Sequence, residues 1–222
     1  SSTDPVFGLT VSADGRILAT VDSGVGEVRL WDLVDRQRIG VLTNSNSSTW
    51  AQFSPVEPVR AWATTVMVGG ERVHGISLWN IRTRQAERAL ALPGRCEGLG
   101  FSSDGRRLLT GSHDRTASIW EVSSGRRACE PMVHPRGLTG ARFSPDDTAV
   151  VTSTFAGWVT CWRLPGPPDV ESLKLGEPVL SAVISADGTH VAAGGIEGAI
   201  KVWSIRGAPQ EVLAQKLSKR AW

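Results

Sequence analysis

Apolar and polar residues alternate with period two in short runs along this chain of 222 residues. Val11, Phe53, Phe101, Phe143 and Ile184 each follow, two positions on, another small or apolar residue: Leu9, Ala51, Leu99, Ala141 and Ala182. Such alternation marks a strand with one buried face. A second apolar run lies downstream in each case: ILATV (17–21), WATTV (62–66), LLTG (108–111), AVVTS (149–153) and HVAAG (190–194). A third run ends on a tryptophan, with inward positions Val28/Leu30, Ile76/Leu78, Ala117/Ile119, Val159/Cys161 and Ile200/Val202. A fourth, weaker run follows, as in RIGVL (38–42) and EVLAQKL (211–217). The pattern predicts four short antiparallel strands per unit, and five units.

The units are in register. Ser12, Ser54, Ser102, Ser144 and Ser185 open the tetrads SADG, SPVE, SSDG, SPDD and SADG. An Asp in such a turn accepts a local backbone hydrogen bond, and a following Gly takes the positive φ that closes a hairpin. Trp31, Trp79, Trp120, Trp162 and Trp203 follow at steps of 48, 41, 42 and 41 residues. A period near forty with one tryptophan per unit is a repeat architecture. A single four-stranded sheet cannot bury both faces, whereas sheets stacked radially can, as in a β-propeller.

At this point the residues resemble the WD-repeat β-propeller family. The best matching units are GLGFSSDGRRLLTGSHDRTASIWEV (98–122) and SAVISADGTHVAAGGIEGAIKVWSI (181–205), and Trp31-Asp32 keeps the name-giving dipeptide. The expected fold is all-β, a β-propeller of four-stranded antiparallel blades, in approximate units 4–44, 45–92, 93–134, 135–176 and 177–217 of one repeat region. The resemblance also implies closure at about seven blades, so that these five form part of a larger ring with about two further blades upstream. Of the hydrogen-bond set that ties blades in the family, unit three offers Trp120, Thr110 and Asp114, and unit four offers His134, with Ala156 where its Asp would stand. Apolar packing between blades is therefore expected to carry the fold, since one lost hydrogen bond costs only about 0.5–1.5 kcal/mol. The repeat style is similar to bacterial WD-repeat regions attached to serine/threonine kinases or signalling ATPases, which implies a docking or sensor role beside a catalytic domain.

Composition narrows the partners. A formal charge of +2 gives no reason to expect nucleic acid. No apolar run approaches the roughly 18 residues of a membrane span. Cys96, Cys129 and Cys161 lack metal-ligand spacing and read as reduced thiols of a cytoplasmic protein. His74, His113, His134 and His190 are scattered, and neither a nucleophile elbow nor a phosphate-cradling loop is present. No enzyme activity, cofactor, metal or small-molecule substrate is expected.

The departures from regularity fall on loops that lead into the first strand or join the second to the third. By family resemblance this is the face that binds partner peptides. Four residues before each serine stand Gly8, Trp50, Gly98, Gly140 and Ser181, so Trp50 is the exception. Unit two also carries extra length, read as a loop over 67–75 that holds Glu71, Arg72 and His74. Unit four adds Phe155 and Trp158, and unit three adds Arg115. Trp and Arg are enriched in binding hot spots. Trp50, Arg72, His74, Arg115, Phe155 and Trp158 are thus the candidate contacts for a protein, a peptide or another domain of the same chain. The competing reading of the aromatics is structural, with Trp50 plugging the channel and Trp158 packed on its neighbour. A structural assembly subunit is the second functional reading, and an enzyme with a site at the channel mouth is the third.

Overall fold

A computed structural model describes residues 6–22, 27–43, 48–56, 59–68, 71–80, 83, 85–164, 170–205 and 208–217. All of the regular structure among them is β. Twenty strands form five four-stranded antiparallel sheets, each built from consecutive strands. Blade 1 comprises β1 (Val6–Val11), β2 (Ile17–Asp22), β3 (Glu27–Asp32) and β4 (Gln37–Thr43). Blade 2 comprises β5 (Ser48–Phe53), β6 (Val59–Val68), β7 (Glu71–Asn80) and β8 (Gln85–Leu92). Blade 3 comprises β9 (Cys96–Phe101), β10 (Arg107–Ser112), β11 (Thr116–Glu121) and the short β12 (Met132–Val133). Blade 4 comprises β13 (Leu138–Phe143), β14 (Ala149–Thr154), β15 (Trp158–Arg163) and β16 (Val170–Lys174). Blade 5 comprises β17 (Val179–Ile184), β18 (His190–Gly195), β19 (Ala199–Ser204) and β20 (Gln210–Lys216).

The serine tetrads make the first hairpin of each blade. The hydroxyls of Ser12, Ser102, Ser144 and Ser185 donate to Asp14, Asp104, Asp146 and Asp187 at 2.5–2.6 Å. Each also accepts the backbone N–H five residues on, at 2.8–2.9 Å. Gly15, Gly105 and Gly188 take the positive φ, and in blade 4 Asp147 takes it instead, at 58°. Blade 2 has no Asp in its tetrad, and Ser54 donates to the Val56 carbonyl at 2.7 Å.

Neighbouring blades meet face to face, and the core lies in four layers between them. Ala19, Val21, Val28 and Leu30 of blade 1 pack with Phe53 of blade 2. Ile76, Leu78 and Leu90 of blade 2 meet Leu99, Leu108 and Trp120 of blade 3. Leu109, Ala117 and Ile119 of blade 3 meet Leu138, Ala141 and Trp162 of blade 4. Val151, Val159 and Cys161 of blade 4 meet Val179, Val191 and Trp203 of blade 5. Each such side chain contributes roughly 1.5–3 kcal/mol on burial, more than a hydrogen bond's net value. The hydrogen bonds that do tie blades internally run from Trp31 to Thr20 (3.1 Å), Trp120 to Thr110 (2.9 Å) and Trp162 to Thr152 (3.0 Å), each from the indole N–H. Among the described residues no comparable packing joins blade 5 to blade 1. One face of each end blade is therefore uncovered, and Leu9 and Val11 on blade 1 and Val183 and Leu213 on blade 5 are exposed.

The extra length of unit two is not a loop. β6 and β7 continue pairing through Thr65↔His74, Val66↔Val73, Met67↔Arg72 and Val68↔Glu71. Residues 69–70 lie outside the described residues. The β-branched Thr64, Thr65, Val66 and Val68 sustain the ladder past the length of the other hairpins, so Glu71, Arg72 and His74 sit on a strand and not on a loop.

Candidate partner-binding face

Every blade has a β-bulge at the same place. The register between the first two strands slips at Val6/Gly8, Ser48/Trp50, Gly111/Ser112, Leu138/Gly140 and Val179/Ser181. The extra residues are Phe7, Thr49, Glu97, Thr139 and Leu180. A bulge leaves one residue out of the ladder and re-aims its side chain. In blade 3 this turns Glu97 toward the β10–β11 turn, where its carboxylate meets His113 Nε2 at 3.2 Å and Arg95 Nε at 3.0 Å. In blade 4 the bulge residue Thr139 shares a hydrogen bond of 2.9 Å with Ser153.

The turn after the second strand builds the rest. In blades 3, 4 and 5 its first tip residue is His113, Phe155 or Ile196. Backbone bonds anchor these tips to the segment leading into the first strand: His113 N–H donates to the Arg95 carbonyl at 2.9 Å, Phe155 N–H to Gly137 at 3.2 Å, and Ile196 N–H to Pro178 at 3.1 Å. The His113 and Phe155 rings then meet edge to face, with centroids 5.2 Å apart. Phe155 remains 49% exposed and Ile196 51%. The last turn position is left-handed: Arg115 at φ 75°, Gly157 at 81° and Gly198 at 94°. Arg115 is held there, exposed, and its carbonyl accepts the His134 N–H at 2.8 Å. In blade 5 a buried carboxylate organises the turn, as Glu177 accepts the N–H groups of Glu197 and Ala199 at 2.8 and 3.0 Å.

The candidate residues divide among three places. Arg115, Phe155 and Trp158 fall on neighbouring turns of blades 3 and 4. Trp158 is half-buried at the start of β15, with the Lys174 ammonium 5.6 Å from its ring. Trp50 is also half-buried, packed against the layer between blades 2 and 3, and lines a narrow space of about 40 Å³ at the channel with Glu97, Gly98, Thr139, Gly140 and Ser181. Gly98 is needed there because a Cβ would stand 2.4 Å from the Ala141 nitrogen. His74 lies on β7 of blade 2, opposite Leu92, and the Arg72 side chain lies outside the described residues. Arg95, Glu97 and His113 complete the blade 3–4 patch. In the sequence His113 is one of four scattered histidines, and its partnership with Glu97 depends on the bulge.

Two features are structural. His134 is buried edge to face against Trp162, centroids 5.1 Å apart, and burial pushes its imidazole down to about 4. Asp114 accepts the Thr116 N–H and hydroxyl at 2.8 and 2.7 Å. A wider cavity, about 680 Å³, lies elsewhere, between blades 2 and 3 beside the serine turns, where Arg88, Arg106 and Arg107 are matched by Glu87, Asp104 and Glu121. Its charges balance, and Arg88 is committed to the Ser123 and Ser124 carbonyls at 2.9 Å. Among the described residues no group of His, Cys, Asp and Glu could hold a metal ion, and no helix is long and apolar enough to cross a membrane.

Two segments, 92–121 and 171–204, match the WD40 family (WD domain, G-beta repeat). They take in the first three strands of blade 3 and of blade 5, which are therefore similar to WD40 repeats. It is 28% identical over 217 residues to telomerase protein component 1 of Rattus norvegicus, covering 96% of this chain and 8% of that protein. It is 31% identical over 100 residues to the periodic tryptophan protein 2 homolog of Schizosaccharomyces pombe, covering 45% of this chain and 12% of that protein. It is 24% identical over 217 residues to target of rapamycin complex subunit LST8 of Bos taurus, covering 95% and 64%. The chain thus spans less than two thirds of the length of each of these relatives.

Proposed function

We propose that this chain is a non-catalytic protein-interaction scaffold, and that the His113–Phe155 patch of blades 3 and 4 is where a partner segment docks. The observation that carries this reading is an aromatic side chain left half in solvent while held by backbone and ring contacts on both sides. A pre-positioned apolar anchor loses little entropy on binding. The relative named as a complex subunit supports a role within an assembly. A docking or sensor role in a longer cytoplasmic signalling protein is the finer proposal. None of the three relatives is named as a kinase or an ATPase, so regulation of such a domain is carried by repeat style alone.

The test is crosslinked capture from source cells with the full chain as bait, comparing the unaltered protein with Phe155→Ala and His113→Ala. Both side chains are substantially exposed, so the variants should melt with the parent while a specific partner band is lost. Retention of every captured band by both variants would remove the patch from the reading.

A further inference from the structure

The same patch has a one-sided charge distribution. Arg95, Arg115, Arg136 and Lys174 all stand on the turns and strand ends around Phe155. Two carboxylates among them are committed, as Glu97 is bridged by Arg95 and His113 and Asp114 Oδ1 is taken up by Thr116, while the exposed Glu197 on the blade 5 turn stands 3.7 Å from Lys216. Arg115 and Arg136 are exposed, and neither guanidinium makes a hydrogen bond or ion pair among the described residues. The opposite end of the blades carries both signs, with Arg16, Arg88, Arg106 and Arg107 among the acidic residues there. Asp14, Asp104, Asp146 and Asp187 sit there in the serine turns, and their hydroxyl partners hold all four carboxyls below the usual range.

From this arrangement we infer that the face of blades 3 and 4 binds an acidic peptide segment carrying one bulky apolar residue, which seats against Phe155 while Asp or Glu side chains pair with Arg115 and Arg136. The inference rests on the docking reading above and adds the chemistry of the partner. A guanidinium presents a planar fork that takes a carboxylate through two parallel hydrogen bonds, so an uncommitted arginine pair selects carboxylates over neutral groups. The apolar residue supplies the contact area, and Ile196 on the neighbouring turn extends the apolar strip. A nucleic acid fits less well. The chain's formal charge is only +2, too small to hold an extended polyanion that overruns the patch.

Fluorescence anisotropy with labelled synthetic peptides decides the matter. The probes are a short alternating Glu-Gly peptide with a central Leu, the same peptide with Lys for Glu, the acidic peptide with Gly for Leu, and an oligouridine of similar length. The acidic Leu peptide should bind at least about tenfold more tightly than the Lys peptide. Its affinity should fall several-fold between about 50 mM and about 300 mM salt, as screening of exposed charges requires. The double variant Arg115→Glu/Arg136→Glu should lose that preference, and Phe155→Ala should abolish the advantage of Leu over Gly. Equal binding of the Lys and Glu peptides would overturn the acidic assignment while leaving the docking reading intact. Oligouridine bound as tightly as the acidic peptide would also overturn it. If no probe binds, the acidic assignment falls, and the capture experiment judges docking separately.

Discussion

Asp147 of blade 4 reaches across to Ser103 of blade 3 and accepts both its backbone N–H, at 2.8 Å, and its hydroxyl, at 2.6 Å. The Asp147 carbonyl also takes the Arg107 guanidinium at 3.4 Å. Asp147 makes these bonds from a left-handed backbone, φ 58°, in a turn slot that Gly15, Gly105 and Gly188 fill in three other blades. The sequence therefore trades a relaxed turn for a link between blades. Asp147→Ala loses the carboxylate and keeps the strain, and should cost about 1–2 kcal/mol. Asp147→Gly loses the same bonds but relaxes the turn, and should be about 1 kcal/mol less damaging than Ala. A urea-denaturation cycle with Ser103→Ala checks this. Additive effects of Asp147→Ala and Ser103→Ala would show that the bridge contributes nothing.

His134 is a liability at acid pH. Its imidazole is buried, its Nε2 has no hydrogen-bond partner, and burial lowers its pKa to about 4 from an ordinary 6.5. The unfolded chain takes up this proton near pH 6.5, and the folded chain only near pH 4. The stability is thus fully present above pH 6.5 and is lost as pH falls through that window, by up to about 3 kcal/mol. Below pH 4 the loss passes to the serine-turn carboxylates, whose pKa values are lowered, that of Asp187 to about 2. The equivalent positions at the ends of blades 2 and 4 are the buried Leu92 and Leu175. His134→Leu should therefore raise stability at pH 7 by about 1 kcal/mol, because an orphaned buried nitrogen is removed. It should also flatten the melting temperature between pH 6.5 and pH 4. A variant as pH-sensitive as the parent would refute the assignment.

Thr110 tests how much the internal ties matter beside the packing. Its hydroxyl accepts the Trp120 indole N–H at 2.9 Å and donates to the Ser118 carbonyl at 3.4 Å, with all three residues buried. Thr110→Val keeps the shape and orphans the indole nitrogen. A loss of about 1–3 kcal/mol is expected by thermal or urea unfolding. Thr110→Ser retains the hydroxyl and should recover most of it. Equal loss in both variants would trace the effect to the methyl group and not to the hydrogen bond.

The blades were legible because the same chemistry recurs five times: the serine turns, the tryptophans and the alternating strands fall into one register. Departures from the repeat were legible only as oddities. Trp50 stood out among Gly8, Gly98, Gly140 and Ser181, yet its depth in the channel depends on neighbouring blades. Residues 67–75 read as a loop because three glycines and three polar side chains interrupt the apolar pattern, whereas β-branched neighbours carry the ladder through. The Glu97–His113 pair was hidden because one residue lies on a strand and the other in a distant turn, and a bulge with no sequence signature turns Glu97 toward it. His134 was visible as a lone histidine, but the missing partner of its Nε2 is a property of packing.

Arg115 separates stability from binding. It sits at φ 75° where blades 4 and 5 place Gly157 and Gly198. An L-residue is strained in this region, and a side chain so exposed offsets the strain with no contact of its own among the described residues. If the position served the fold alone, glycine would be the better choice. Arg115→Gly should raise stability by about 0.5–1 kcal/mol, since the relaxed turn is partly offset by the greater freedom of the unfolded chain. The same variant should weaken capture of an acidic peptide by several-fold, with the loss shrinking at high salt. Urea unfolding and peptide anisotropy on one preparation read both effects. Opposite movements of the two would show that the arginine is kept at the expense of the turn, and unchanged binding would remove it from the docking face.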